Sequence, residues 1–340
     1  MKAVIMAGGE GTRLKAVTGD MPKPLVRVAG RPVLEHILEL LKRNGITEAC
    51  MALRYRPEEI MSRFGRGERF GMRLSYHIER EALGTAGGVR ACLDPRDGRD
   101  TLVISGDCVC SFNLRALTEA RRRHRCGAVI ALHEEPSPLR YGVVLTDPVG
   151  RVVSFLEKPD WSCVVSDTVN TGIYVVSAQA MSLVPEGTQF DFSKDLFPLM
   201  LRTGLEIRAL PLPGYWSDIG TPRDYYRTCL DALDGKIPSI TPGATAEAAA
   251  VTASAVPPTA RSVPCSGRAH VMRLVSQALM EAGADFTGGV TLRVPDAEVR
   301  ISPDPEDERI IVDARSHDPS RAGKLAEKYE KLVRSLTSGS

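Results

Sequence analysis

Residues Lys2–Met6 read KAVIM and run directly into Ala7-Gly8-Gly9-Glu10-Gly11. A short apolar run of this kind reads as a buried strand, and glycines at its end let the backbone turn tightly. Beyond a polar stretch, RPVLEHILELLKRNG sets Val33, Leu34, Ile37, Leu38 and Leu41 on one helical face, with Gly45 as the stop. A strand, a glycine turn and a helix in that order constrain the chain to an α/β sheet. In such sheets ligands bind outside the carboxyl ends of the strands, where this turn lies.

Two familiar phosphate loops do not fit the turn. Gly9-Glu10-Gly11 is followed by Thr12, Arg13 and Leu14, so a dinucleotide fingerprint lacks its third glycine, and no G-K-[ST] element occurs in the chain. What remains is a glycine turn with two cations, Arg13 and Lys23, the second inside Pro22-Lys23-Pro24. Glycines let backbone N–H groups approach phosphate oxygens. A guanidinium pairs bidentately with phosphate, and a lysine acts as a point charge. The set suits a triphosphate; an ordinary strand-to-helix turn with solvated charges accounts for the glycines alone.

Alternation continues to about residue 235. Strands are predicted at 51–55, 73–79, 101–107, 127–133, 142–147 and 170–177, and helices at 33–43, 57–64, 86–93, 114–124, 178–183, 194–203 and 222–233. This pattern predicts an α/β domain over 1–235, a Rossmann-like, mostly parallel sheet flanked by helices. Residues 236–262, rich in Ala, Thr, Ser and Pro, read as a flexible linker. Residues 263–338 then offer a helix, three strands and a closing charged helix from Pro319 to Leu336, a small α+β domain.

Charge narrows the function class. Lys plus Arg number 44 against 42 Asp plus Glu, which makes no electrostatic case for nucleic acid or an anionic membrane. The one dense basic run, RRRHR at 121–125, ends a predicted helix, where cations complement the dipole. No apolar stretch has transmembrane length, and the N-terminal run is too short for a signal peptide. Eight cysteines without a C-x-x-C pair point to reduced thiols in a cytoplasm.

Several acids and small-residue turns follow strands. LVISGD ends in Asp107, a place to hold a metal over bound phosphates; a turn-capping Asp reads equally from the same residues. YWSDIGTP supplies Asp218, and Mg²⁺ favours one or two carboxylates plus substrate phosphates. Thr221-Pro222 and Asp224 also read as a helix start. FLEKPD puts Glu157 beside Lys158, either a sugar-phosphate pair or a solvated surface pair. REALGTAGGV is a second glycine turn, suited to close approach by a base or ribose, and FDFSKDLFP places Lys194 among aromatics, with Ser193 as an alternative helix cap.

In order, AGGEGTRL with PKP, then LGTAGG, SGD, EKP, NTGIY, DFSKDLFP and WSDIGTP resemble the sugar-1-phosphate nucleotidylyltransferases over about residues 1–235. Within that family the chain is most similar to bacterial mannose-1-phosphate guanylyltransferases of the type fused to a phosphohexomutase region. The resemblance implies that Gly8, Gly9, Gly11 and Thr12 bind the nucleotide, with Arg13 on its phosphates. Lys23 would span the nucleotide phosphates and the attacking sugar phosphate, and Glu79, Gly84 and Thr85 would face base and ribose. Asp107, at the nucleotide, and Asp218 would hold Mg²⁺. Gly142, Glu157, Lys158 and Asn170 would hold the sugar phosphate, with Lys194 assisting. Where the family has Arg-Pro-Leu after Arg13-Leu14, this chain has Lys15-Ala16-Val17, a change that bears on closure over the nucleotide.

VRISPDPEDERIIVDARS and the helix after it are similar to the last domain of phosphohexomutases. The phosphate loop R-P-S-G-T-E-P of those enzymes is replaced by Arg300-Ile301-Ser302-Pro303-Asp304-Pro305-Glu306. Acids where a phosphate would sit, with the mutase phosphoserine segment and metal loop absent, imply no mutase activity. A docking, dimerising or vestigial role is expected instead.

The implied reaction joins an NTP, GTP by resemblance, to a sugar 1-phosphate, mannose 1-phosphate by resemblance, and releases pyrophosphate. UTP, ATP or dTTP with glucose 1-phosphate or another hexose 1-phosphate is the alternative within the class. A catalytically silent subunit that senses sugar nucleotides is the alternative outside it. Nucleic acid and membrane are not expected partners, and a homo-oligomer is left open.

Overall fold

The computed structural model describes residues 1–240 and 260–337, apart from 95, 136, 137, 161, 163, 165, 266, 287, 288, 305, 306 and 317, and only the backbone of 16, 17 and 281. Its described residues form two compact units. The first comprises 1–133, 146–153 and the chain from Thr171 to Ile240; the second comprises 134–145, 154–170 and the chain from Ala260 onward.

The chain begins with β1 (Lys2–Met6), α1 (Lys15–Thr18), a hairpin of β2 (Arg27–Val28) and β3 (Arg31–Pro32), and α2 (Val33–Arg43). Next come β4 (Glu48–Leu53), α3 (Pro57–Phe64), β5 (Arg73–Ile78), α4 (Gly84–Ala91), β6 (Thr101–Ser105) and β7 (Cys108–Cys110). Then follow α5 (Arg115–His124), β8 (Ala128–Glu134), β9 (Gly142–Thr146), β10 (Val152–Glu157) and β11 (Thr168–Val176). The region up to residue 235 closes with α6 (Ala178–Met181), α7 (Phe197–Arg202), β12 (Ile207–Pro211), β13 (Trp216–Asp218) and α8 (Pro222–Leu233).

In the first unit, β1 pairs in parallel with both β4 and β6; Val4 stands between Cys50 and Val103. β5 extends the parallel set beyond β4, Ile173–Val176 of β11 run antiparallel to β6, and β12 runs parallel to β8. The sheet is mixed and mostly parallel. Ala3, Val4, Ile5, Val103 and Ile104 have no solvent exposure, which explains unbroken apolar runs: parallel strands covered on both faces need no polar alternation. The chain leaves β1 for β4 and β5 on one side and later returns to β6 on the other. Such a reversal opens a crevice at the carboxyl ends of β1 and β6.

Helix α2 buries Val33, Leu34, Ile37, Leu38 and Leu41, the face expected from spacing, and also His36, whose Nε2 lies 2.9 Å from the Val28 carbonyl oxygen. The second glycine turn enters its helix two residues earlier than expected, at Gly84. The helix expected at 194–203 starts as a π-turn over Phe192–Leu196. Asp195 accepts from the Asp191 N–H there (2.7 Å), leaving Ser193 inside the turn rather than capping it. β10 and β12 were not anticipated, because VVSFLE and IRALP are short runs broken by polar residues.

In the second unit, Val169 of β11 pairs antiparallel with Val143 of β9. Its C-terminal part comprises β14 (Arg261–Pro264), α9 (Arg268–Leu279), β15 (Val290–Val294), β16 (Ala297–Pro303), β17 (Arg309–Ser316) and α10 (Pro319–Thr337). The sheet order is β14-β17-β16-β15, all antiparallel. Met272 and Val275 of α9 and Ala326 and Val333 of α10 lie in one core with Val299, Ile310 and Val312 of the sheet. The ends of the expected linker are ordered. Ile237 and Ile240 are buried, and Arg261–Ser262 belong to β14, which gains a ladder with β17. Residues 241–259 lie outside the described set.

Candidate active site

Met6 and Ser105 are register partners at the ends of β1 and β6. The Gly106 N–H donates to the Met6 carbonyl at 2.9 Å, and a Cβ at position 106 would stand 2.8 Å from that oxygen. Only glycine lets the strand ends close up there, and Asp107 emerges directly after it. β7 then pairs antiparallel with β13, setting Asp218 opposite Cys108. The Ile219 N–H donates to the Asp107 carbonyl at 3.0 Å. Two carboxylates 111 positions apart in sequence thus meet at one sheet end.

Lys23 lies between them. Its ammonium is ion-paired with Asp107 and stands 3.5 Å from Asp218 Oδ1. Ser105 Oγ donates to the other Asp107 oxygen at 2.5 Å. The lysine stem runs under the glycine turn: Gly11 has φ +63°, and a Cβ on it would lie 3.2 Å from Lys23 Cβ. The turn is therefore laid on the lysine.

Burial raises the Asp218 carboxyl, and neighbouring Asp107 adds to this, pushing it up to about 6. Burial also opposes ionisation of Asp107, but Lys23 and Ser105 outweigh it and hold that group below the ordinary carboxylate value. Lys23, though buried, is held above its usual value by the two acids. Asp107 and Asp218 keep 28% and 24% side-chain exposure, so both remain open to a ligand. Among the described residues no cluster of three or more metal-ligating side chains occurs. The carboxylates that could hold a divalent cation are this pair, already arranged around one positive charge.

The rest of the glycine turn leaves room. A Cβ at Gly9 would meet nothing within 4 Å, and one at Gly8 only ordinary contact with Arg54 and the Ala52 carbonyl. Leu14 is buried and pins the turn, while Thr12 and Arg13 are exposed. Arg13 has no ion-pair partner among the described residues.

The glycines of the second turn are also required by packing within the chain. Gly84 has φ +71°, and a Cβ there would lie 2.7 Å from the Phe190 carbonyl oxygen; one at Gly87 would lie 2.6 Å from that of Thr188. The Ala86 and Gly87 N–H groups donate to Phe190 O at 2.8 and 2.9 Å. Thr85 Oγ1 donates to Asp191 at 2.9 Å and accepts from the Phe192 N–H at 3.0 Å. The 188–192 segment thus packs against the Cβ side of Gly84 and Gly87. Glu79 sits beside this turn, its N–H bonded to Leu53 O at 2.8 Å and its carboxylate against Gly88. Burial raises its carboxyl above the usual value.

In the second unit, Gly142, Glu157 and Asn170 converge: a Cβ at 142 would lie 3.1 Å from Glu157 Oε2 and 3.8 Å from Asn170 Cβ. Lys158 adopts φ +46°, and its N–H donates to Tyr141 O at 3.1 Å. Its exposed ammonium stands 4.0 Å from Glu157. Lys194 is exposed on the π-turn of the first unit.

Ser105, Gly106 and Gly172 were not among the expected site residues. Gly172 has φ +74° and faces Ser105, where a Cβ would lie 3.2 Å from Ser105 Cβ. The available signal was small residues flanking an acid in SGD and following a polar pair in NTG.

Residues 2–235 match the model of the nucleotidyl transferase family. A mannose-1-phosphate guanylyltransferase of Mycobacterium tuberculosis is 32% identical over 238 residues, 70% of this chain and 66% of that protein. A UTP–glucose-1-phosphate uridylyltransferase of Synechocystis is 33% identical over 253 residues, 71% of this chain and 65% of that protein. The chain thus spans just under two thirds of the length of both relatives. Among solved structures, HddC of Yersinia pseudotuberculosis complexed with GMP-PN superposes with a TM-score of 0.58 at 30% identity, covering 68% of this chain and 98% of that one. A putative glucose-1-phosphate thymidylyltransferase of Bacillus anthracis gives 0.62 at 26%, covering 69% and 96%.

Proposed function

The chain belongs to the nucleotidyl transferase family, and from that premise we propose that it transfers a nucleotidyl group from an NTP to a sugar 1-phosphate. The pair proposed is GTP and mannose 1-phosphate, in keeping with the guanylyltransferase relatives. UTP with glucose 1-phosphate is the second reading, favoured by the Synechocystis relative. The observation that carries the proposal is Lys23 held between Asp107 and Asp218 beneath the Gly8–Gly11 turn.

A sugar phosphate is already an anionic nucleophile near neutral pH, so no general base is needed. Its oxygen attacks the α-phosphorus in line, and pyrophosphate leaves. The protein's task is to bring two anions together and stabilise the charge that develops. Asp107 and Asp218 would hold Mg²⁺, which supplies charge neutralisation on the triphosphate. Arg13 serves the nucleotide phosphates with Thr12 and the backbone of Gly8, Gly9 and Gly11. Lys23 then serves both phosphates, and Glu79 with the backbone at Gly84 borders the base. Gly142, Glu157, Lys158 and Asn170 receive the sugar phosphate, and Lys194 assists. Seven free, buried cysteines among the described residues favour a cytoplasmic setting. No described helix is long and apolar enough to cross a membrane.

The test is pyrophosphate release by Lys23→Ala and Asp107→Ala. Each is expected to lose about 2–4 kcal/mol of transition-state stabilisation, the scale of one preorganised charged group. Near-normal turnover in either variant would overturn the assignment.

A further inference from the structure

The residues proposed to receive the sugar phosphate lie on an arm made of two segments, 134–145 and 154–170, both in the second unit. The Glu135 N–H donates to Asp167 O at 2.8 Å and ties the segments together. Between Lys158 and Asp167 the described residues form no helix or strand. Such a stretch loses backbone entropy on ordering and needs an anchor.

The anchor is apolar and lies in the C-terminal part of the chain. Val164 has no solvent exposure and belongs to the same core as Met272 and Val275 of α9 and Ile310 of β17. Leu139, three residues before Gly142, packs against that core as well. Val164 sits six residues after Lys158 and six before Asn170. The apolar anchors and the polar substrate groups therefore alternate along one arm.

We propose that the C-terminal helix-and-sheet part is the scaffold of the sugar-1-phosphate site, with Val164 and Leu139 as positioning residues that hold the arm in its binding form. This rests on the function proposed above. The affinity of a site whose competent form is only partly populated falls by that fraction. Loosening the anchor then weakens sugar-phosphate binding and leaves the nucleotide turn, in the other unit, untouched.

The experiment uses full-length Val164→Asp, the milder Val164→Ala and the conservative Val164→Ile. KM for the sugar 1-phosphate, Kd for the NTP by calorimetry and amide exchange along the arm are measured for each. Val164→Asp is expected to raise that KM about tenfold or more, Val164→Ala less, and Val164→Ile little, by the population argument. NTP Kd should stay within about twofold, since the site fraction that changes is the arm's alone. Faster exchange at Tyr141–Gly142 and from Lys158 to Asn170 should accompany the loss. An unchanged KM with an unchanged arm in Val164→Asp would overturn the inference. So would a parallel loss of NTP affinity in Val164→Ala, which would mark Val164 as a general stability residue. Absence of turnover in the unaltered protein with every substrate pair is a separate result, and sinks the proposed function itself.

Discussion

Lys23 is the residue on which most of the site depends. Its ammonium neutralises two acids that would otherwise face each other partly buried, and the Asp218 carboxyl is already pushed up to about 6. In Lys23→Met with chelator present, the melting temperature is expected to fall, because an uncompensated carboxylate pair is left. Added Mg²⁺ should restore more stability to this variant than to the unaltered protein, since the cation takes the place the ammonium vacates. Equal Mg²⁺ shifts in the two proteins would contradict a shared cation site. Gly11 is tested with it: its φ of +63° and its contact with Lys23 make Gly11→Ala costly on both counts. About 1–2 kcal/mol of stability is expected to be lost in denaturant unfolding, the ordinary cost of a left-handed non-glycine residue. Arg13, Lys23 and both acids stood out in the sequence because each follows a strand or a glycine turn. That Lys23 would bridge the acids was not legible, since the three come from positions 23, 107 and 218.

Among the elements, α4 and the 188–192 segment behave as one piece, joined by the Phe190 carbonyl, Thr85 and Asp191. Gly84→Ala should destabilise by about 1–3 kcal/mol, the range of strained backbone positions, and more if the Phe190 carbonyl cannot give way. A melting temperature unchanged by that substitution would contradict the packing explanation of this turn. Glycine spacing alone could not show that the 188–192 segment packs against this turn. Helix α2 carries a pH dependence. Burial holds His36 below its ordinary value of 6.5, outweighing the Val28 hydrogen bond. Below about 6.5 the unfolded chain takes up a proton that the folded chain resists, so stability should decline as pH falls. Urea unfolding between pH 7.5 and 5.5 should show His36→Gln with a flatter profile than the unaltered protein. Identical slopes would remove His36 as the cause. The helix itself was plain from its apolar spacing, but the buried histidine within its inward face was not.

At the scale of the whole chain, the α/β alternation up to residue 235 was legible because parallel strands are unbroken apolar runs. The grouping of arm segments 134–145 and 154–170 with the C-terminal residues was not, because Val164 shares a core with residues from Val263 onward, far along the chain. In the C-terminal part, Asp304 is 5% exposed and its carboxylate accepts from Arg309 Nε at 2.7 Å. A buried acid at that loop supports the proposal that no phosphate binds there; Pro305 and Glu306 lie outside the described residues. Interconversion of hexose 1- and 6-phosphates is accordingly expected to be undetectable by coupled assay. The most direct measurement is pyrophosphate release with Mg²⁺, crossing GTP, UTP, ATP, CTP and dTTP against mannose, glucose and other hexose 1-phosphates. A clear maximum at one pair is expected, at GTP with mannose 1-phosphate. Measurable sugar-nucleotide binding without turnover for any pair would contradict it and make the protein a sensor.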